Sequence, residues 1–223
     1  MFKYVNEYID FSAKVNNYLL TLMMEKKINY DEYSDSYIWD LMKSQGVGIR
    51  GFYFKEKMNE RISGMLIQDQ QETTIVFNQR LDETMRHFVV SHEIIHYLFH
   101  KNERNNVFLD TQNHLEHFYQ KELKEFQANI GASAILVPDN VFIHFLKNGW
   151  NLAQLSNRFK ISEQHLSIRL VQMMQAFLGL SLMVSEALAE DIQYNFYGKG
   201  KMRAKLLAYE LECYLNKTLV QRS

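Results

Sequence analysis

The stretch Arg86-His87-Phe88-Val89-Val90-Ser91-His92-Glu93-Ile94-Ile95-His96-Tyr97-Leu98-Phe99-His100 sets His92, Glu93 and His96 inside a run of apolar side chains. At about 100° per residue, a step of four comes round to within about 40° of its start and about 6 Å along the axis. His92 and His96 therefore share one face of a helix, and both rings can reach one point. The flanking Phe88, Val89, Val90, Ile94, Ile95, Leu98 and Phe99 suit a helix buried in a core. His-Glu-x-x-His is the pattern by which one helix offers two imidazoles to a zinc ion, with the Glu placed to take a proton from the attacking water. The plain alternative is a buried helix whose histidines only hydrogen-bond to neighbours.

A chain of 223 residues holds one sizeable core, or one core with a small appendage. Its 47% hydrophobic and 23% charged content fits a soluble globular protein, and the net charge of −1 gives no general reason to bind nucleic acid. The single cysteine, Cys213, excludes an intramolecular disulfide and the cysteine-rich zinc modules, so a metal must be held by His and carboxylate. The start, Met1 to Glu7, lacks the basic residues and apolar run of a secretion signal. The most apolar later run, Ala176 to Val184, is about half the length needed to span a bilayer. The expectation is a cytoplasmic protein with no membrane association. One proline, Pro138, and 9 glycines leave helices largely uninterrupted, which predicts a helix-rich chain.

Helical spacing runs from Tyr4 to Met24 and from about Ser34 to Ser44, the latter turning Tyr37, Ile38, Leu41 and Met42 inward with Gly46 near its C-cap. Phe52 to Phe54, Ile62 to Ile67 and Thr73 to Phe77 are short β-branched or aromatic runs, separated by the polar segments Lys55 to Arg61 and Gln68 to Glu72. They predict a three-stranded antiparallel meander leading into the motif helix, from about Asp82 to Lys101. An edge strand beside such a helix can pair with an extended peptide. A polar loop follows to Asn113, then a helix from about Leu115 to Val137 with a small-residue run, Gly131-Ala132-Ser133-Ala134, ended by Pro138. Asn151 to Phe159 and Ser162 to Met174 resemble a helix-turn-helix, and residues 176–223 read as two helices separated by the Tyr197 to Lys201 loop. The fold class is α+β and helix-rich, with a small sheet packed beside the motif helix and further C-terminal helices. The expected division is a domain over residues 1–140 and a helical region over 141–223, packed on the same core and helix-turn-helix-like over 151–174.

A catalytic zinc takes three protein ligands and leaves a position for water. His100 lies four residues beyond His96 but is about 80° away from His92, and three imidazoles on one helix cannot easily surround a tetrahedral ion. The extended motif with a third His fails too, because Phe99 and Asn102 stand where Gly and His are needed. His100 is expected to be structural or to face substrate. Glu125 is the favoured third ligand, with Asn129 on the same face fixing a ligand imidazole from behind. Glu122, one turn earlier, is its competitor. Tyr53, Tyr97 and His100 are unranked candidates for steadying the oxyanion.

Taken together, Ile75-Val76-Phe77-Asn78, Arg86-His87-Phe88, the motif run to His100, Glu125-Phe126-Gln127-Ala128-Asn129-Ile130-Gly131-Ala132 and Ile135-Leu136-Val137-Pro138 resemble the ImmA/IrrE metallopeptidases, over residues 47–170. The resemblance implies a zincin-like core, His92, His96 and Glu125 as zinc ligands, and Glu93 as general base. Another divalent ion such as Mn2+ is an alternative metal. It also implies a cytoplasmic endopeptidase that cleaves a partner protein, a helix-turn-helix transcriptional repressor of a mobile element, phage or stress regulon. Two residues depart from the pattern: Ile95 stands where a small residue is common, and Gly131 where an aromatic is.

The competing reading is a non-proteolytic regulator or scaffold that binds a repressor, or DNA, through its C-terminal helices. Arg158, Lys160 and Arg169 are the cations such a DNA surface would use. Against DNA, the second helix of the pair opens with Ser162-Glu163-Gln164-His165, whose Glu opposes phosphate, and no basic cluster surrounds it. Lys199, Lys201, Arg203 and Lys205 read as a solvated loop and helix start.

Overall fold

The computed structural model describes residues 3–55, 62–69, 71–100, 108–110, 123–194 and 198–222. It forms two compact units, Ser34–Leu136 and Met1–Tyr33 with Val137–Ser223. The first helix thus groups with the C-terminal helices rather than with residues 34–136, unlike the expected division at 140.

The unit Ser34–Leu136 is α+β. It contains α2 (Ser36–Ser44), β1 (Val47–Phe52), β2 (Gly64–Gln68), β3 (Thr73–Asn78), α3 (Glu83–Phe99), β4 (Phe108–Asp110) and α4 (Leu123–Leu136). In α2, Ile38 and Met42 are fully buried while Tyr37 turns outward. Gly46, just past its end, has φ +85, a conformation that glycine adopts without strain.

The sheet order is β1-β3-β2-β4, and β1 pairs with β3 in parallel. This corrects the antiparallel meander. Its second and third strands do form a hairpin, with Asp69 Oδ1 accepting from the backbone N–H groups of Gln71 and Glu72 at 2.8 Å. The first strand, however, is Val47–Phe52 rather than Phe52 to Phe54, and it lies on the far side of β3. The eleven residues between β1 and β2 are too long for a tight turn, so no local geometry forces these two to pair. β3 is central and carries the fully buried Ile75, whereas β1 becomes progressively exposed as an edge.

Asn78 closes β3. Its Nδ2 donates to Ile62 O at 3.2 Å and its Oδ1 accepts from the Arg80 backbone at 3.0 Å, which shapes the turn into α3. Asp82 caps that helix, accepting from Met85 N at 2.8 Å. Every residue from Phe88 to Tyr97 is buried, as is every residue from Ala128 to Leu136 in α4. Two glycines make this packing tight. A Cβ on Gly64 would stand 2.3 Å from Val89 and 3.3 Å from a Glu93 carboxylate oxygen, so β2 meets α3 through bare backbone. A Cβ on Gly131 would stand 2.5 Å from the Ile95 side chain. The bulky Ile95 and the missing side chain at 131 are therefore complementary: one fills what the other vacates.

The other unit is helical among its described residues: α1 (Val5–Lys26), a 3-10 turn (Tyr30–Glu32), α5 (Asp139–Lys147), α6 (Leu152–Phe159), α7 (Glu163–Leu178), α8 (Leu182–Tyr194) and α9 (Lys199–Arg222). Helix α5, which begins directly after Pro138, is not among the elements expected from the sequence, and α7 extends past the expected Met174 to Leu178, where Gly179 caps it at φ +67. At the centre, Arg169 donates to Asp139 at 2.6 Å, with both side chains almost wholly buried. Ser12 and Asn16 of α1 donate to the other Asp139 oxygen at 3.2 and 2.9 Å, and Asn16 accepts from the Asp139 backbone at 2.7 Å. Burial and the Asp139 charge push the nearby Tyr8 hydroxyl well above its ordinary pKa. Among the described residues, no single helix is long and apolar enough to cross a membrane.

Candidate metal centre

α3 and α4 bring His92, His96 and Glu125 together at the heart of the unit Ser34–Leu136. His92 Nε2 lies 2.9 Å from His96 Nε2, and the Glu125 carboxylate oxygens lie 3.2 Å from the first and 3.5 Å from the second. A tetrahedral ion with bonds of about 2.0–2.1 Å separates its ligand atoms by about 3.3 Å, so this triangle has the size that a zinc ion requires.

The proton positions point the same way. Asn129 Oδ1 lies 2.9 Å from His92 Nδ1, and an amide oxygen only accepts, so His92 carries its proton on Nδ1. His100 Nε2 donates to Gln127 Oε1 at 2.8 Å, which leaves His100 Nδ1 as the acceptor for His96 Nδ1–H at 2.9 Å. Burial and the neighbouring His96 push the pKa of His100 down to about 4, so it is neutral at physiological pH and can play that part. Both Nε2 atoms then present lone pairs to the same point as an anionic carboxylate. Three electron-pair donors converging in a buried site are the donor set of a cation, and His2Glu is one that suits zinc.

Glu93, one residue on from His92, is fully buried on α3. Tyr97 is buried on the same helix, while Tyr53 stands 63% exposed just past β1. His100 is the C-cap of α3 rather than part of its interior, which lets its ring fold back onto the Nδ1 side of His96, away from the converging Nε2 atoms. Glu122 lies outside the described residues, as do residues 101–107 and 111–122, where the expected loop and the start of the following helix fall. Sequence reasoning missed Gln127 and Gly64. Gln127 is two residues from Glu125, a spacing that carries no same-face signal, and the role of Gly64 depends on a helix far away in sequence.

Against protein families, residues 47–171, more than half of the chain, match the IrrE N-terminal-like domain of Peptidase_M78. The chain belongs to the Peptidase M78 family. It is therefore a member of a metallopeptidase family, with a helix-rich, zincin-like α+β fold, and all of His92, Glu93, His96, Glu125 and Asn129 lie within the matched span. No curated protein matches the chain.

Both arginines that a DNA-binding reading requires are engaged within the chain. Arg158 donates to the backbone oxygens of Asp31 and Tyr33 at 3.0 and 3.1 Å, and Arg169 is the buried partner of Asp139. In the basic run that opens α9, Arg203 pairs with Asp191.

Proposed function

We propose that this member of the M78 family is a zinc-dependent endopeptidase acting on a partner protein in the cytoplasm. The observation that carries the reading is the triangle of His92 Nε2, His96 Nε2 and a Glu125 oxygen, with edges of 2.9, 3.2 and 3.5 Å. When bound, zinc supplies a Lewis acid that polarises the scissile carbonyl and acidifies water. Glu93 accepts the proton of the attacking water and returns it to the leaving amine. Asn129 and His100 hold the two imidazoles by their Nδ1 protons, so that their Nε2 lone pairs stay aimed at one point. The resemblance to ImmA/IrrE proteins makes a helix-turn-helix transcriptional repressor the favoured substrate.

The test combines metal analysis with cleavage of such a repressor, taken from the source genome. Wild-type protein is expected to hold about one zinc per chain, and His92→Ala to lose it. Glu93→Gln should keep the metal and lose at least about a hundredfold in cleavage rate, as expected for a general base. A Glu93→Gln variant that binds zinc and cuts as fast as wild type would falsify the assigned role. Metal binding without cleavage of any candidate repressor would leave a binding scaffold as the better account.

A further inference from the structure

The last helix, α9, carries a largely exposed apolar line, in which the Lys147 ammonium of the same unit lies 4.8 Å from the centre of the Tyr209 ring. Ala204, Leu207, Ala208 and Leu211 form its buried face. Met202, Leu206 and Tyr209 are 60%, 59% and 56% exposed, and Cys213 is exposed as well. The steps between these four residues are four, three and four, so at about 100° per residue they fall within about 60° of one another, directly opposite the buried face. That is the a/d spacing of a heptad repeat. Exposed apolar residues scattered singly are ordinary, whereas a contiguous apolar line along one helix marks an interaction surface.

The flanking charges indicate what covers it. With Leu206 and Cys213 at a and Met202 and Tyr209 at d, the g positions are Lys205 and Glu212, and the following e positions are Glu210 and Lys217. In a parallel pair of identical helices, a g residue faces the e residue five positions on in the other helix. Lys205 then meets the partner's Glu210, and the two-fold axis repeats this attractive pair, while Glu212 stays with Lys147 of its own chain at 2.8 Å. Lys205 and Glu210 are exposed and enter no ion pair among the described residues, so they are available for this. An antiparallel pairing would instead draw on Arg203, already held by Asp191, and on Glu212, held by Lys147 at 2.8 Å.

We infer that the outer face of α9 is a self-association seam on which α9 of a second copy packs in parallel and in register. Leu206 meets its own counterpart across the axis, and so does Cys213. The line from Met202 to Cys213 spans only about 17 Å at 1.5 Å per residue, so the dimer is weak and concentration-dependent.

Sedimentation velocity of the full chain, kept reduced and run from low to high micromolar concentration, tests this directly. A monomer–dimer equilibrium is expected, and Leu206→Glu should weaken it at least about tenfold, the effect of some 1.4 kcal/mol. Because Leu206 is exposed, the circular dichroism spectrum and melting temperature of that variant should match wild type. Diamide should join two chains through Cys213, the two thiols giving up two electrons and two protons to it, in wild type and far less in Leu206→Glu. A monomer at every concentration, a dimer that survives Leu206→Glu, or a dimer that Cys213 does not cross-link would each overturn the seam.

Discussion

His100 sits where a sequence motif tempts one to see a third metal-binding imidazole, yet both of its ring nitrogens are spoken for. One faces His96 Nδ1 at 2.9 Å and the other Gln127 at 2.8 Å. The arrangement parallels that of Asn129 with His92, so each imidazole of the pair has its own partner behind it. Such partners fix the tautomer and the ring orientation, and their loss commonly costs about 10–100-fold in metal affinity. His100→Phe, which keeps a ring of similar bulk but no nitrogen, is expected to weaken zinc by that factor in a chelator competition. Gln127→Leu should act in the same direction by a smaller amount. Unchanged affinity in both would show that His100 is only filling space.

The packing of α3 on α4 explains how this chain tolerates Ile95 beside His96. The added bulk on α3 occupies the space over Gly131 on α4, within 2.5 Å of where a Cβ would sit. Interdigitation of this kind couples residues energetically by about 0.5–3 kcal/mol. Gly131→Ala should therefore destabilise the wild-type chain clearly in urea. The same change in an Ile95→Ala background should cost markedly less, because the truncated side chain leaves room. Equal penalties in the two backgrounds would mean that the helices simply move apart. If they did, the His92–His96–Glu125 triangle would widen, since its corners are divided between these two helices.

The chain divides between a unit that holds the candidate metal centre and a helical unit organised around an ion pair, Arg169–Asp139. Asp139 is held by Arg169, Ser12 and Asn16 together, and it ties α1, α5 and α7 to one another. Breaking such a buried pair from one side leaves an uncompensated charge and costs about 3–5 kcal/mol. Arg169→Ala is expected to lose stability of that order in denaturant titration. Replacing Arg169 and Asp139 together with apolar residues should recover part of it. A loss of less than about 1 kcal/mol, typical of an exposed pair, would contradict the burial seen here.

Much of the candidate site was legible because its information is local. A spacing of four on one helix places His92 beside His96, a second such spacing places Glu125 beside Asn129, and the apolar flanks of both segments announce buried helices. The 3.6-residue period and the cost of burying bare polar groups suffice for that. The pairing of β1 with β3, the grouping of α1 with the C-terminal helices and the partners of Arg158 and Arg169 were not legible, since they join segments tens of residues apart. Arg169 shows the difference most plainly: in the sequence it is a cation at helical spacing, free to face phosphate, and only the fold supplies Asp139 to bury it. The two-histidine helix was a property of the sequence, whereas its conversion into a three-cornered site, with Gln127 and Asn129 behind it and bare glycine backbone before it, depends on how α3, α4 and β2 pack.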